Sequence, residues 1–238
     1  MQLNTNDVLL FSGDSITDGA RGHNMDCNHI FGHGYQTIIA GQLALDNAEW
    51  RPKFINKGYS GFTMSQLEAQ WQKDVIAFCP TIVSLLAGVN DGCFGFQEGF
   101  SPRYIADRYE TALQSALDKT FDSLGKIQFI ILEPFYFPLD RSDCSYRYTP
   151  HPDCEPPFSR PDTDESEESI AHRQQSMPLI QAAAKKCAEQ NGCVFVPLQK
   201  PFQEIISRTR TEYLIWDGTH PTIAGHTLIA REWLRAVL

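Results

Sequence analysis

The chain has 238 residues, 42% of them hydrophobic and 21% charged, the balance of an ordinary soluble globular protein long enough to bury one α/β core. Its 20 basic and 29 acidic residues give a formal net charge of −9, which excludes the basic footprint of a nucleic-acid binder and an electrostatic membrane anchor. No stretch reaches the roughly 20 apolar residues of a membrane-spanning helix.

The first seven residues are polar and lack a basic n-region, so no signal peptide is expected. Cys27, Cys79, Cys93, Cys144, Cys154, Cys187 and Cys193 are scattered and odd in number. Such usage predicts reduced thiols in a cytoplasmic protein rather than a disulfide framework.

Residues 8–11 form a short apolar run and predict the first strand. Gly13-Asp14-Ser15-Ile16-Thr17-Asp18-Gly19 breaks it and leaves Ser15 where a strand passes into a loop, the edge at which open α/β sheets bind ligands. Residues 34–45 then carry one apolar helical face (Ile38, Ile39, Leu43, Leu45), and residues 53–56 predict the second strand. Met64, Leu67, Trp71, Val75 and Phe78 recur at helical spacing over residues 63–78. The third strand is expected over residues 82–86, and Ser101-Pro102 opens the next helix with a cap and a first-turn proline.

Residues 127–132 predict the fourth strand. Beyond it, residues 135–166 show neither helical nor strand period, and a structureless stretch of that length suggests a binding loop or lid. Its aromatics Tyr136, Phe137, Tyr146, Tyr148 and Phe158 would line a carbohydrate or acyl site, or else pin the loop to the surface. The carboxylates of Asp153, Glu155, Asp162, Asp164, Glu165, Glu167 and Glu168 read as a solvated loop and an acidic helix start. A long helical region over residues 167–190 is expected to break or restart at Met177-Pro178 and to stop at Asn191-Gly192. A fifth strand over residues 194–197 and a final helix over 222–238 complete the chain.

Strands alternating with helices imply right-handed crossovers and a sheet covered on both faces. The expected fold is one doubly wound α/β domain spanning residues 1–238, with an irregular insertion near 135–166. Phe78, Cys79 and the apolar face of the last helix could pack internally or against a second copy, which leaves a homo-oligomer open.

Four stretches at strand ends share complementary chemistry. Ser15 needs a base, and the imidazole of His220 titrates near neutral pH. The imidazole needs an acceptor that holds its tautomer, and Asp217, three residues earlier, is within reach. A tetrahedral oxyanion needs fixed donors, for which Gly58 offers a backbone N–H, Asn90 a side-chain amide and Ser15 its own N–H. Asp14 and Asp91 adjoin the site and are expected to order its loops. Each residue also has a plainer use. Ser15 suits a turn, Asn90 an Asx-turn, and Asp217 and Thr219 suit the start of the last helix.

These blocks, Gly13-Asp14-Ser15, Gly58, Gly88-x-Asn90-Asp91 and Asp217-x-x-His220, resemble in kind and order the four blocks of the SGNH (GDSL-type) hydrolases. The wider context (Gly-Asp-Ser-Ile-Thr-Asp, Asn-x-Gly-x-Ser-Gly, Ile-Leu-Glu-Pro-Phe) looks most like cytoplasmic acetylxylan esterases and lysophospholipase-like esterases. The resemblance implies a flavodoxin-like, three-layer fold with a mainly parallel five-stranded sheet, and metal-free and cofactor-free cleavage of carboxylic esters. It casts Ser15 as nucleophile, His220 and Asp217 as base and acid, and Ser15, Gly58 and Asn90 as oxyanion donors. The substrate it implies is an acetylated saccharide such as a xylo-oligosaccharide. Longer-chain lysophospholipase or thioesterase action, or a non-catalytic carbohydrate-binding module, are the competing readings.

His23, His29 and His33 beside Asp26 and Cys27 match no standard zinc spacing, nor does Cys144…His151…Cys154, so no metal is expected. His226 is expected on the side of the final helix, and Trp216 in the core or on the wall of an acyl pocket. No Gly-x-Ser-x-Gly elbow, phosphate-binding Gly-x-x-x-x-Gly-Lys loop or dinucleotide fingerprint is present.

Overall fold

The computed structural model describes residues 3–22, 26, 29–139 and 166–238. Five parallel strands, β1 (Val8–Gly13), β2 (Lys53–Gly58), β3 (Ile82–Leu86), β4 (Gln128–Leu132) and β5 (Val194–Val196), form one sheet in the order β2-β1-β3-β4-β5. The expected doubly wound α/β fold is therefore observed.

Side chains one residue apart on a strand point to opposite faces, and the core divides accordingly. Leu9, Phe11, Ile82, Leu86, Ile130 and Leu132 share one apolar cluster with Tyr35, Ile39 and Leu43 of α2 (Tyr35–Asp46) and Leu228, Ile229 and Trp233 of the final helix (Ile223–Val237). Leu10, Val83, Leu85, Phe129 and Ile131 face the other way. They pack on Leu113 and Leu117 of the helix Pro102–Leu124 and on Ile180 and Ala184 of the helix Glu167–Asn191. The buried polar ends are paired across elements: Trp233 Nε1 donates to Ser84 Oγ at 3.0 Å, and Trp71 Nε1 to Thr120 Oγ1 at 2.8 Å.

The α-helices between and after these strands are, in order, α1 (Ser15–Asp18), α2, α3 (Met64–Ala69), α4 (Trp71–Asp74), α5 (Val89–Gln97), α6 (Pro102–Leu124), α7 (Glu167–Asn191), α8 (Gln199–Ile206), α9 (Thr211–Leu214) and α10 (Ile223–Val237). Residues 63–78, expected as one helix, are three pieces that end in a 3₁₀ turn at Ile76–Phe78. The first piece is held by a reciprocal cap between Thr63 and Gln66.

The expected break at Met177-Pro178 is absent, and α7 runs on through Pro178. Pro178 and Gln174, whose carbonyl loses its amide partner, both lie on the exposed side of the helix, where water can serve the freed carbonyl. α5, over which the sequence pattern predicts no element, carries two glycines that lower its helix propensity. Packing requires them: a Cβ on Gly95 would collide with Ile105, and one on Gly92 would lie 3.2 Å from Ser176 Oγ. The apolar face of α10 is turned inward, whereas Phe78 and Cys79 are exposed. Among the described residues no helix is long and apolar enough to cross a membrane.

β1 lies between β2 and β3, so the chain winds outward in both directions from it. The carboxyl ends of β1 and β3 therefore flank the crevice where such sheets take up ligands. Ser15 follows β1 and Asn90 follows β3.

Candidate active site

Gly13 ends β1 in a space closed by the Leu86 carbonyl and Thr17, where a Cβ would not fit. The next residue, Asp14, is 1% exposed and accepts the N–H of Ile16 on Oδ1 at 3.0 Å, starting the single turn of α1. Ser15 is thereby presented on the first residue of that turn. Its Oγ lies 2.8 Å from His220 Nε2.

His220 comes from a short loop before α10. Asp217 shapes that loop by accepting the backbone N–H groups of Thr219 (2.9 Å) and His220 (2.6 Å) on Oδ1. Its Oδ2 meets His220 Nδ1 at 2.5 Å. Trp216 N–H donates to the His220 carbonyl at 3.0 Å and closes the loop. With Nδ1–H donated to the carboxylate, the Nε2 lone pair is left to receive the Ser15 proton. Burial disfavours the charged imidazole, but the hydrogen bond and charge of Asp217 outweigh it and hold His220 above its ordinary 6.5. Burial likewise opposes the Asp217 carboxylate, yet His220 and the two backbone N–H groups hold it below 3.8.

The candidate oxyanion donors separate into those with a free N–H and those without. Ser15 N–H donates to no group among the described residues. Asn90 spends one Nδ2 hydrogen on the Phe62 carbonyl at 3.0 Å and retains the other. Gly58, expected as a donor, is committed elsewhere: its N–H donates to Asn56 Oδ1 at 2.9 Å, and the residue is packed against the Thr17–Asp18 backbone. Sequence reading passed over Gly61, three residues on. It has φ +81, open space where a Cβ would be, and an N–H without a partner among the described residues. The Asn90–Phe62 bond ties its turn to the crevice. Its signal in the sequence was the second glycine of Asn-x-Gly-x-Ser-Gly.

A model of the GDSL-like lipase/acylhydrolase family matches residues 11–228. The chain belongs to that family. It is 30% identical over 241 residues to an acetylxylan esterase from Geobacillus stearothermophilus, covering 100% of this chain and 96% of that protein. Among solved structures, that of Axe2, an acetylxylan esterase from the same organism, aligns at TM-score 0.73 with 28% identity, covering 100% of this chain and 96% of that one. A catalytic mutant of Axe2 aligns at 0.77, with the same identity and coverage. A Parabacteroides merdae protein aligns at 0.79 with 30% identity over 99% of this chain and 97% of that one. The GDSL-like chain is an esterase, and a small-molecule ester is its substrate class.

Two buried carboxyls, Asp14 and Asp91, adjoin Ser15 and Asn90. Burial pushes Asp14 up to about 6, against the Ile16 N–H and the charge of His220. Asp91 accepts the Met64 N–H (3.0 Å to Oδ2), and burial pushes it up to about 7, with the Asp14 charge adding to the rise. A carboxyl whose folded pKa lies above its unfolded value stabilises the fold at low pH and ceases to do so as pH rises. For Asp14 that window is about pH 4 to 6, and about 3 kcal/mol is lost across it. Asp14→Asn keeps the oxygen that caps Ile16 but carries no charge. Thermal melts at pH 4 and pH 8 are expected to show the variant gaining on wild type at the higher pH. A difference in melting temperature that is the same at both pH values would sink this assignment.

Trp216 is 39% exposed, with its ring 6.0 Å from that of His220, so it forms a wall of the GDSL site rather than core. Tyr136 and Phe137 are buried, which for these two favours pinning over substrate lining. Tyr146, Tyr148, Phe158 and the acidic residues 153–165 lie outside the described residues. Burial, with His33 and His220 nearby, pushes His226 down to about 4. The neutral ring accepts Tyr35 N–H on Nδ1 at 3.2 Å and caps α2, whose Gly34 has no side chain for that purpose. His23, Cys27, Cys144, His151 and Cys154 lie outside the described residues. Among the described residues no group of three His, Cys, Asp or Glu could hold a metal.

Proposed function

We propose that Ser15, His220 and Asp217 form a catalytic triad that removes acetyl groups from carbohydrate hydroxyls. The observation that carries the reading is the unbroken hydrogen-bonded chain from Asp217 through His220 to Ser15 Oγ. Ser15 Oγ adds to the ester carbonyl as its proton passes to His220 Nε2. The oxyanion is held by the N–H of Ser15, the amide of Asn90 and, in place of Gly58, the N–H of Gly61. His220 then protonates the departing sugar oxygen, and water delivered by the same base releases acetate from the acyl-serine.

The acetylated-sugar reading is supported by the 30% identical acetylxylan esterase and by the part-exposed Trp216 beside His220, a face on which a sugar ring can stack. Free Cys79, Cys93, Cys187 and Cys193 suit a cytoplasmic site of action on imported oligosaccharides. The test is a rate profile over acyl length with acetate release from acetylated xylo-oligosaccharides. The expected maximum is at acetyl. A maximum at about eight carbons or longer would move the protein to lysophospholipase-like chemistry, since a pocket gains only about 1–3 kcal/mol per methylene and must be built for long chains. Tight binding of acetylated sugar with no acid release would mark a binding module.

A further inference from the structure

Arg173 projects from α7 and is 6% exposed. Its guanidinium lies 3.8 Å from the centre of the Tyr136 ring, and its Nη2 donates to Thr219 Oγ1 at 2.8 Å. Thr219 is the residue between Gly218 and His220, and its own N–H is on Asp217. The neighbour of Tyr136, Phe137, donates its N–H to the Gly218 carbonyl at 3.1 Å. One buried side chain therefore joins the segment after β4 to the loop that carries both Asp217 and His220. Burying a guanidinium is costly unless fixed partners offset the desolvation, and the Thr219 hydroxyl and the Tyr136 ring are among those partners here.

We propose that Arg173 is a positioning residue for His220, clamping Thr219 so that the imidazole stays aimed at Ser15. From the same place its positive charge favours the neutral, proton-accepting ring. The proposal rests on the reading of His220 as the base. Among the described residues the groups that act on the imidazole are Asp217 from its own loop, Asp14 and Ser15 from the β1–α1 corner, His226 from α10, and Arg173 from α7. Asp217 and Asp14 favour the imidazolium, and Arg173 opposes them. A base bonded to one carboxylate and facing a second would otherwise hold its proton to higher pH and lose activity on the acid side.

Three variants separate the clamp from the charge. Arg173→Met removes both, Arg173→Lys keeps the charge and loses the planar fork, and Thr219→Val removes only the acceptor. Two readouts apply: the pH profile of kcat/KM on a short acetyl ester, and an NMR titration of the His220 imidazole in a Ser15→Ala background. Arg173→Met is expected to move the acid limb and the imidazole titration upward by about 0.5–1 pH unit. It is also expected to lower kcat about tenfold, with KM little changed, as a misaimed base does. Arg173→Lys should restore the limb but not kcat, and Thr219→Val should lower kcat without moving the limb. An unmoved limb and titration in Arg173→Met overturns the charge role, and wild-type kcat in Thr219→Val overturns the clamp. Should Arg173→Met fail to fold, Arg173→Gln removes the charge in its place with the same expected shift, and an unmoved limb and titration in it overturns the charge role, while Thr219→Val still decides the clamp. Absence of Ser15-dependent ester cleavage in the wild type would instead sink the esterase site, and the NMR titration would still report on Arg173.

Discussion

Ser15→Ala is expected to lower kcat on a short acetyl ester by roughly 10⁴- to 10⁶-fold, with residual turnover from the oxyanion donors alone. That is about 5–8 kcal/mol of barrier, far beyond what loss of a single hydrogen bond would give if Ser15 were only a turn hydroxyl. The fold should be untouched. Among the described residues Ser15 Oγ bonds only to His220, while the turn that carries it is capped by Asp14. Steady-state kinetics with a thermal melt of the same preparation check both halves. A variant that turns over at the wild-type rate would remove Ser15 as nucleophile. A variant that loses activity together with its melting transition would make the serine structural.

Asn90→Ala is the second large effect, an expected fall of roughly 10²- to 10³-fold in kcat, about 3–4 kcal/mol, with KM nearly unchanged. The split follows from where the charge develops: the carbonyl oxygen of the ground state is a weak acceptor, and the oxyanion a strong one. Asn90 holds the Phe62 carbonyl with one hydrogen and has one left for the oxyanion. Its removal also loosens the turn that carries Gly61. Loss confined to KM would place Asn90 in substrate binding, and an unchanged kcat would return it to an Asx-type loop role. Glycine substitutions divide the same question. Gly58→Ala puts a Cβ into the Asp18 backbone and should act through stability, whereas the Cβ of Gly61→Ala meets no neighbour among the described residues, only the strain of φ +81.

The α/β alternation, the five strands and the meeting of Ser15, Asn90, Asp217 and His220 at the carboxyl edge of the sheet are legible in the sequence alone. Each of those signals is local: an apolar run, its breaker, and a reactive residue just past it. Asp217 and His220 are three residues apart, so even their pairing could be read from the chain. Other features depend on partners far away along the chain. Whether Gly58 or Gly61 has a hydrogen to spare depends on Asn56 folding back onto Gly58 and on the packing of Asp18. That α7 passes through Pro178 depends on which side of the helix faces water, and that residues 89–97 are helical depends on Ile105 and Ser176 pressing on two glycines. Arg173 carried no signal at all, being distant in sequence from Thr219 and on a different element. Strand and helix periods are written residue by residue, but the allocation of every donor and buried charge is settled only once all partners are in place.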